Sequence, residues 1–191
     1  MRMIVFDTET TAPEPGAICQ LAYLMIDGPR VSGRNFFFAV DEMTPRALSI
    51  HGLSPEKLNL LSGGRRFRDS AREIFADFEA CDCLAGHGVA LDERFIRAEF
   101  ERCGLELGEK QRFCTRDFFV RMMRGKYGVR TAWPSLARLT ARCDLSPALI
   151  AEAAREWFGG GEAAHDARYD AAATWLVMRE MAARGELERF F

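Results

Sequence analysis

The first forty residues carry apolar runs broken only by turn-forming residues, whereas from Thr44 onward the apolar positions recur mainly at helical spacing. Arg2 to Asp7 reads as a buried strand, and Ile18 to Asp27 and Val31 to Val40 as two more, joined across a Gly28-Pro29 turn. A connection that short makes an antiparallel meander. Thr44 to Ile50 predicts a short helix with Pro45 in its first turn and a stop at Gly52, and Ser54 caps another. Ala71, Ile74, Phe75 and Phe78 give Arg68 to Glu79 one apolar face. Cys83 to Ala85 is a fourth strand, Leu91 to Cys103 a helix ending near Gly104, and Arg112 to Cys114 a brief fifth strand. Helical patterns follow over Asp117 to Arg124, Ser135 to Arg142, Pro147 to Trp157 and Asp166 to Ala183, the last two separated by Gly159-Gly-Gly161. Three strands, then strands alternating with helices, predict an α/β fold: a five-stranded mixed sheet, its first three strands antiparallel, flanked by helices.

A chain of 191 residues that is 48% hydrophobic has the length and core of one domain, here residues 1–191. No apolar run approaches the ~18 residues of a membrane span, and the early acidic strand does not read as a signal peptide. The six cysteines form no C-x-x-C pair and sit mostly among apolar residues, which reads as reduced core thiols in a cytoplasmic protein. A net charge of −2 means that any affinity for nucleic acid resides in a local patch.

The chemistry-bearing residues are four carboxylates and a histidine. Asp7 and Glu9 lie in Met3-Ile-Val-Phe-Asp-Thr-Glu-Thr10, Asp92 closes Gly86-His-Gly-Val-Ala-Leu-Asp92, and His165 and Asp170 bracket His165-Asp-Ala-Arg-Tyr-Asp170. Residues two apart on a strand share a face, so Asp7 and Glu9 point the same way. Two like charges at the end of a buried strand are costly unless a divalent cation compensates them, and oxygen ligands suit magnesium or manganese. Asp92 also reads as an N-cap for a helix beginning near Glu93, and Asp166 as the cap of the last helix.

These motifs resemble the DEDDh branch of the DnaQ-like 3′–5′ exonucleases over nearly the whole chain. Phe6-Asp-Thr-Glu-Thr-Thr11 is similar to the family's first motif, Ile18-Cys-Gln-Leu-Ala22 to the strand that follows it, and Ile50-His-Gly-Leu-Ser54 to its H-G-[IL]-[ST] loop. Gly86 to Phe95 is similar to the second carboxylate motif, and His165 to Ala171 to the closing H-x4-D signature. The resemblance implies a ribonuclease H-like fold and hydrolysis of single-stranded DNA or RNA from the 3′ end. It implies two divalent ions, Mg2+ or Mn2+: Asp7 bridges both, Glu9 and Asp170 each support one, Asp92 holds one, and His165 is the general base. Thr8, Thr10, His51, Leu53 and Gly88 fall where the family binds substrate, with Leu53 as an apolar wedge on the terminal base. His51 also reads as a loop hydrogen-bonding residue. Arg94, Arg97, Lys126 and Arg130 are candidates for a single-strand channel.

Two departures stand out. Gly88 replaces the amide side chain of the family's H-N-x-x-F-D, with Leu91 for its aromatic ring, and Ala12 stands where glycine is expected. Leu187-Glu-Arg-Phe-Phe191 has a faint look of a sliding-clamp tail, with Arg184 in place of its glutamine. Single-stranded 3′ ends are therefore the expected partners, with a DNA polymerase or sliding clamp as a further one. The alternative from another class is a non-catalytic nucleic-acid or polymerase-associated module, which would be expected to have lost one of the five residues. An aspartyl phosphatase would want an aspartate at position 9 and a downstream catalytic lysine.

Overall fold

A computed structural model describes residues 1–13 and 16–187. Its sheet has the order β3-β2-β1-β4-β5, with β1 (Arg2–Thr10), β2 (Ile18–Asp27), β3 (Arg30–Phe37), β4 (Cys83–Gly86) and β5 (Gln111–Cys114). Strands β1, β2 and β3 pair antiparallel, while β4 lies parallel to β1 and β5 parallel to β4. This is the expected mixed sheet. The helices are α1 (Pro45–His51), α2 (Pro55–Ser62), α3 (Phe67–Ala80), α4 (Val89–Arg102), α5 (Thr115–Tyr127), α6 (Leu136–Arg142), α7 (Pro147–Phe158) and α8 (Ala167–Ala183). None of the described helices is long and apolar enough to cross a membrane.

Strand alternation divides the interior in two. Ile4 and Phe6 of β1, with Leu21 and Tyr23 of β2, pack against α3 and α4 through Ile74, Phe78, Ile96 and Phe100. Phe78 is the hub of this layer, its ring edge-on to Phe6, Tyr23 and Phe100 at centroid separations of 5.3, 5.3 and 5.8 Å. Met3 and Val5 point the other way, with Leu24 and Ile26, onto Trp175, Met178 and Met181 of α8 and Phe119 of α5. Because β1 is central and covered on both faces, its run Met3 to Phe6 is continuously apolar instead of alternating. The six cysteines are free and all but Cys103 are buried, as expected of core thiols; burial pushes the Cys19 thiol up to about 12.

Where element ends differ from the sequence expectation, hydrogen bonding supplies the reason. Strand β1 continues past Asp7 to Thr10, because Asp7, Thr8 and Glu9 still pair with Ala22, Leu21 and Gln20. The acidic residues thus lie within the strand, and the register shifts only between Glu9 and Thr10. Strand β3 stops at Phe37; Ala39 N–H then donates to the Arg65 carbonyl in the loop before α3. Helix α4 starts at Val89, so Asp92 does not cap it. Gly88 holds that position with φ 91°, a left-handed conformation favouring glycine, and Asp92 falls in the first turn. Helix α5 starts directly from β5 at Thr115 and runs to Tyr127, where Gly128 in the left-handed region ends it. The aromatic C-terminal segment, 188–191, lies outside the described residues.

Candidate active site

The ends of β1 and β4 and the starts of α4 and α8 meet at one end of the sheet. Within β1, Asp7 and Glu9 follow Met3 and Val5 on the face covered by α8, the helix that carries Asp170 in its first turn. Thr8 faces the opposite layer, where its backbone N–H and hydroxyl both donate to Asp92 Oδ1, at 3.2 and 2.7 Å. One three-residue stretch therefore recruits a carboxylate from each helical layer.

His165 adopts φ 63°, and its backbone N–H donates to Asp170 Oδ2 at 3.0 Å while its ring lies in an exposed position. Glu9, His165 and Asp170 bring ligand-capable atoms within 4.8 Å of one another. Asp166 caps α8, as expected: its carboxylate accepts from the Arg168 N–H at 3.0 Å and from the Arg168 guanidinium. Burial would raise the Asp166 carboxyl, but the hydrogen bonds from Arg168 and Gln20 hold it below its usual range.

The other four carboxyls move the opposite way. Burial, then the charges of Asp92, Asp170 and Glu9, push Asp7 well above its ordinary value. Burial with Asp170 and Asp92 takes Glu9 up to about 8. Asp92 rises to about 6 through burial, against the opposing pull of its Thr8 hydrogen bonds, and Asp170 to about 6 through burial, against the His165 N–H. Four carboxyls raised by burial and by one another's charge fit divalent cations, whose oxygen-ligand preference they would satisfy.

A residue passed over in the sequence completes the scaffold. Gln20, fully buried on β2 opposite Glu9, donates to Asp166 Oδ1 at 2.9 Å and accepts from Ala167 N–H at 3.2 Å. It fixes the start of α8, and with it His165 and Asp170. Its signal is an amide inside an otherwise apolar strand, Ile18 to Ile26, where burial demands specific partners.

The expected substrate residues are distributed unevenly. Glu9 and Thr10 line a cleft of about 650 Å³ with His51, and Arg94 lies on its wall. A second cleft of about 440 Å³ runs from His51 past Gly160 to His165 and Arg168. His51, the last residue of α1, is hydrogen-bonded through both ring nitrogens: its Nε2 donates to the Thr10 carbonyl at 3.3 Å and its Nδ1 accepts from Leu53 N–H at 3.1 Å. Leu53 is only 6% exposed, packed on Cys19 and Leu58, and the exposed apolar side chains of the first cleft are Ile50 and Leu91. Arg97 is not a channel residue, because it is bound to Glu93 and to the Leu107 and Gly108 carbonyls. Lys126 and Arg130 are exposed around the end of α5. Ala12 is absent from the positive-φ residues, so its position makes no glycine-specific demand.

The mixed five-stranded sheet flanked by helices is the fold of solved exonucleases. A family model described as Exonuclease, of the RNase T type, matches residues 4–178, and the chain belongs to this DnaQ-like family. Among solved structures, an exonuclease I superposes with TM-score 0.76 at 18% identity, covering 95% of this chain and 41% of that one. A moderately thermophilic exonuclease I from Methylocaldum szegediense gives 0.75 at 20%, covering 96% and 40%. A zinc-bound E. coli exonuclease I–single-stranded DNA complex gives 0.67 at 21%, covering 96% and 41%. The chain thus spans about two fifths of the exonuclease I chains it matches. No curated protein matched the sequence.

Proposed function

We propose that this exonuclease removes nucleotides one at a time from the 3′ end of single-stranded nucleic acid, releasing nucleoside 5′-monophosphates. The observation that carries the reading is the convergence of Asp7, Glu9, Asp92 and Asp170, all with raised carboxyl pKa values, beside His165. Two Mg2+ or Mn2+ ions would be held by Asp7, Glu9, Asp92 and Asp170. When bound, such ions make the attacking water nucleophilic and stabilise the leaving alkoxide. His165 takes the proton of that water as its oxygen attacks the terminal phosphorus, and the P–O3′ bond to the preceding nucleotide breaks. Asp170 holds the His165 backbone, and Gln20 with Asp166 holds the helix from which Asp170 projects.

Digestion of 5′-labelled DNA and RNA oligonucleotides, side by side with magnesium or manganese, tests this. Stepwise shortening that a chelator abolishes is expected. Early release of the labelled 5′ mononucleotide, or full activity in excess chelator, would overturn it.

A further inference from the structure

The second carboxylate motif has glycine where its relatives carry an amide side chain, and the space beside it is filled from elsewhere. A Cβ on Gly88 would lie 3.4 Å from the guanidinium carbon of Arg116. Arg116 in turn stacks on the indole of Trp133, 4.3 Å from the ring centroid. Trp133 is 65% exposed, so the guanidinium leaves much of the ring open to solvent.

This pair is held in place. Both ring nitrogens of His87 are engaged, Nδ1 with Thr115 Oγ1 at 3.0 Å and Nε2 with the Pro134 carbonyl at 3.1 Å. A carbonyl only accepts, so Nε2 carries the proton. His87 thereby ties the residue after Trp133 to the ends of β4 and β5, directly before Gly88. Gly88 caps α4, the helix that carries Asp92 in its first turn, and the Arg116 guanidinium lies against that cap. Arg116 has weak protein partners: Asp117 approaches only to 3.9 Å, and its Nε is buried without a hydrogen bond.

An exposed indole backed by a cation, beside the cap of the helix that carries Asp92, has the chemistry of a single-strand platform. We propose that Trp133 stacks a base upstream of the scissile bond while Arg116 binds an adjacent phosphate, a polar grip that Gly88, having no side chain, cannot provide. The proposal rests on the nuclease reading above. It assigns two positioning residues to the strand that stays bound after each cut.

The test measures binding of a 5′-fluorescein-labelled single strand by anisotropy in magnesium, in an Asp7→Asn background to prevent cutting. Trp133→Ala is expected to weaken binding roughly tenfold, the usual worth of one stacked base, and Trp133→Phe to restore most of it. Arg116→Ala should lower affinity and flatten the salt dependence by about one phosphate contact. Because Trp133 is largely exposed, melting temperature should hold in its variants. Unchanged affinity in both alanine variants, or no detectable binding by the parent, overturns the platform. Wild-type hydrolysis of a p-nitrophenyl ester of thymidine 5′-monophosphate reads the catalytic centre separately. If the ester resists hydrolysis while stacking persists, the catalytic reading falls and the platform stands.

Discussion

Replacing Glu9 by glutamine should make the metal-free protein more stable, although it removes a residue the site depends on. Glu9 is 8% exposed, and burial with the Asp170 and Asp92 charges lifts its carboxyl from 4.5 to about 8. A carboxyl raised on folding binds its proton more tightly in the native state. Its contribution is fully present below pH 4.5 and is lost as pH climbs through about 8. At about 1.4 kcal/mol per pH unit, the ionising Glu9 costs the fold about 3 kcal/mol at pH 7, but under about 1 kcal/mol at pH 5. A glutamine has no proton to lose. For a domain of this size, Glu9→Gln in chelator should therefore melt about 5–10 °C above wild type at pH 7, with the gap mostly closing at pH 5. Manganese should then raise wild type more than the variant; saturation at a hundred times Kd is worth about 2.7 kcal/mol. Thermal scans at the two pH values, with chelator or manganese, provide the measurement. A variant that melts at or below wild type at pH 7, or a gap equal at both pH values, would refute the electrostatic argument and make Glu9 a structural acceptor.

Two other substitutions separate chemistry from scaffold. His165→Ala should lower turnover by roughly 10²–10⁴-fold, the range for general acid–base catalysis, and leave the metal-induced melting shift, since the hydrogen bond to Asp170 comes from the backbone; a collapsed shift would make His165 a ligand. Gln20→Leu strips the amide from Asp166 and Ala167, and should cost about 1–3 kcal/mol in thermal stability and lower kcat more than KM, whereas wild-type melting would refute its anchoring role.

Much of the fold is legible in the sequence because its signals are local. The Gly28-Pro29 turn, the Ser54 and Asp166 caps and the Gly52 stop each depend on a few neighbouring residues. Asp7 and Glu9 are readable for a similar reason, since strand alternation alone puts them on one face. Asp92 reads as a cap because nothing in the sequence marks Gly88 as a left-handed helix start. Its actual engagement is with Thr8, 84 residues away. Leu53 lies in the expected loop, yet its burial against Cys19 and Leu58 depends on how α1 and α2 settle on β2. The Arg116–Trp133 stack folds the loop after α5 back onto that helix's first turn, 17 residues apart, and has no local signature.

The strand β1 imposes an order on when this protein becomes able to cut. Asp7 and Glu9 meet the layer of α8, while Thr8, between them, holds Asp92 from the layer of α4. A folding chain with only one layer docked would therefore lack one of the four carboxylates. The complete set of carboxylates is thus a property of the finished sandwich, assembled only when both helical layers lie on the sheet.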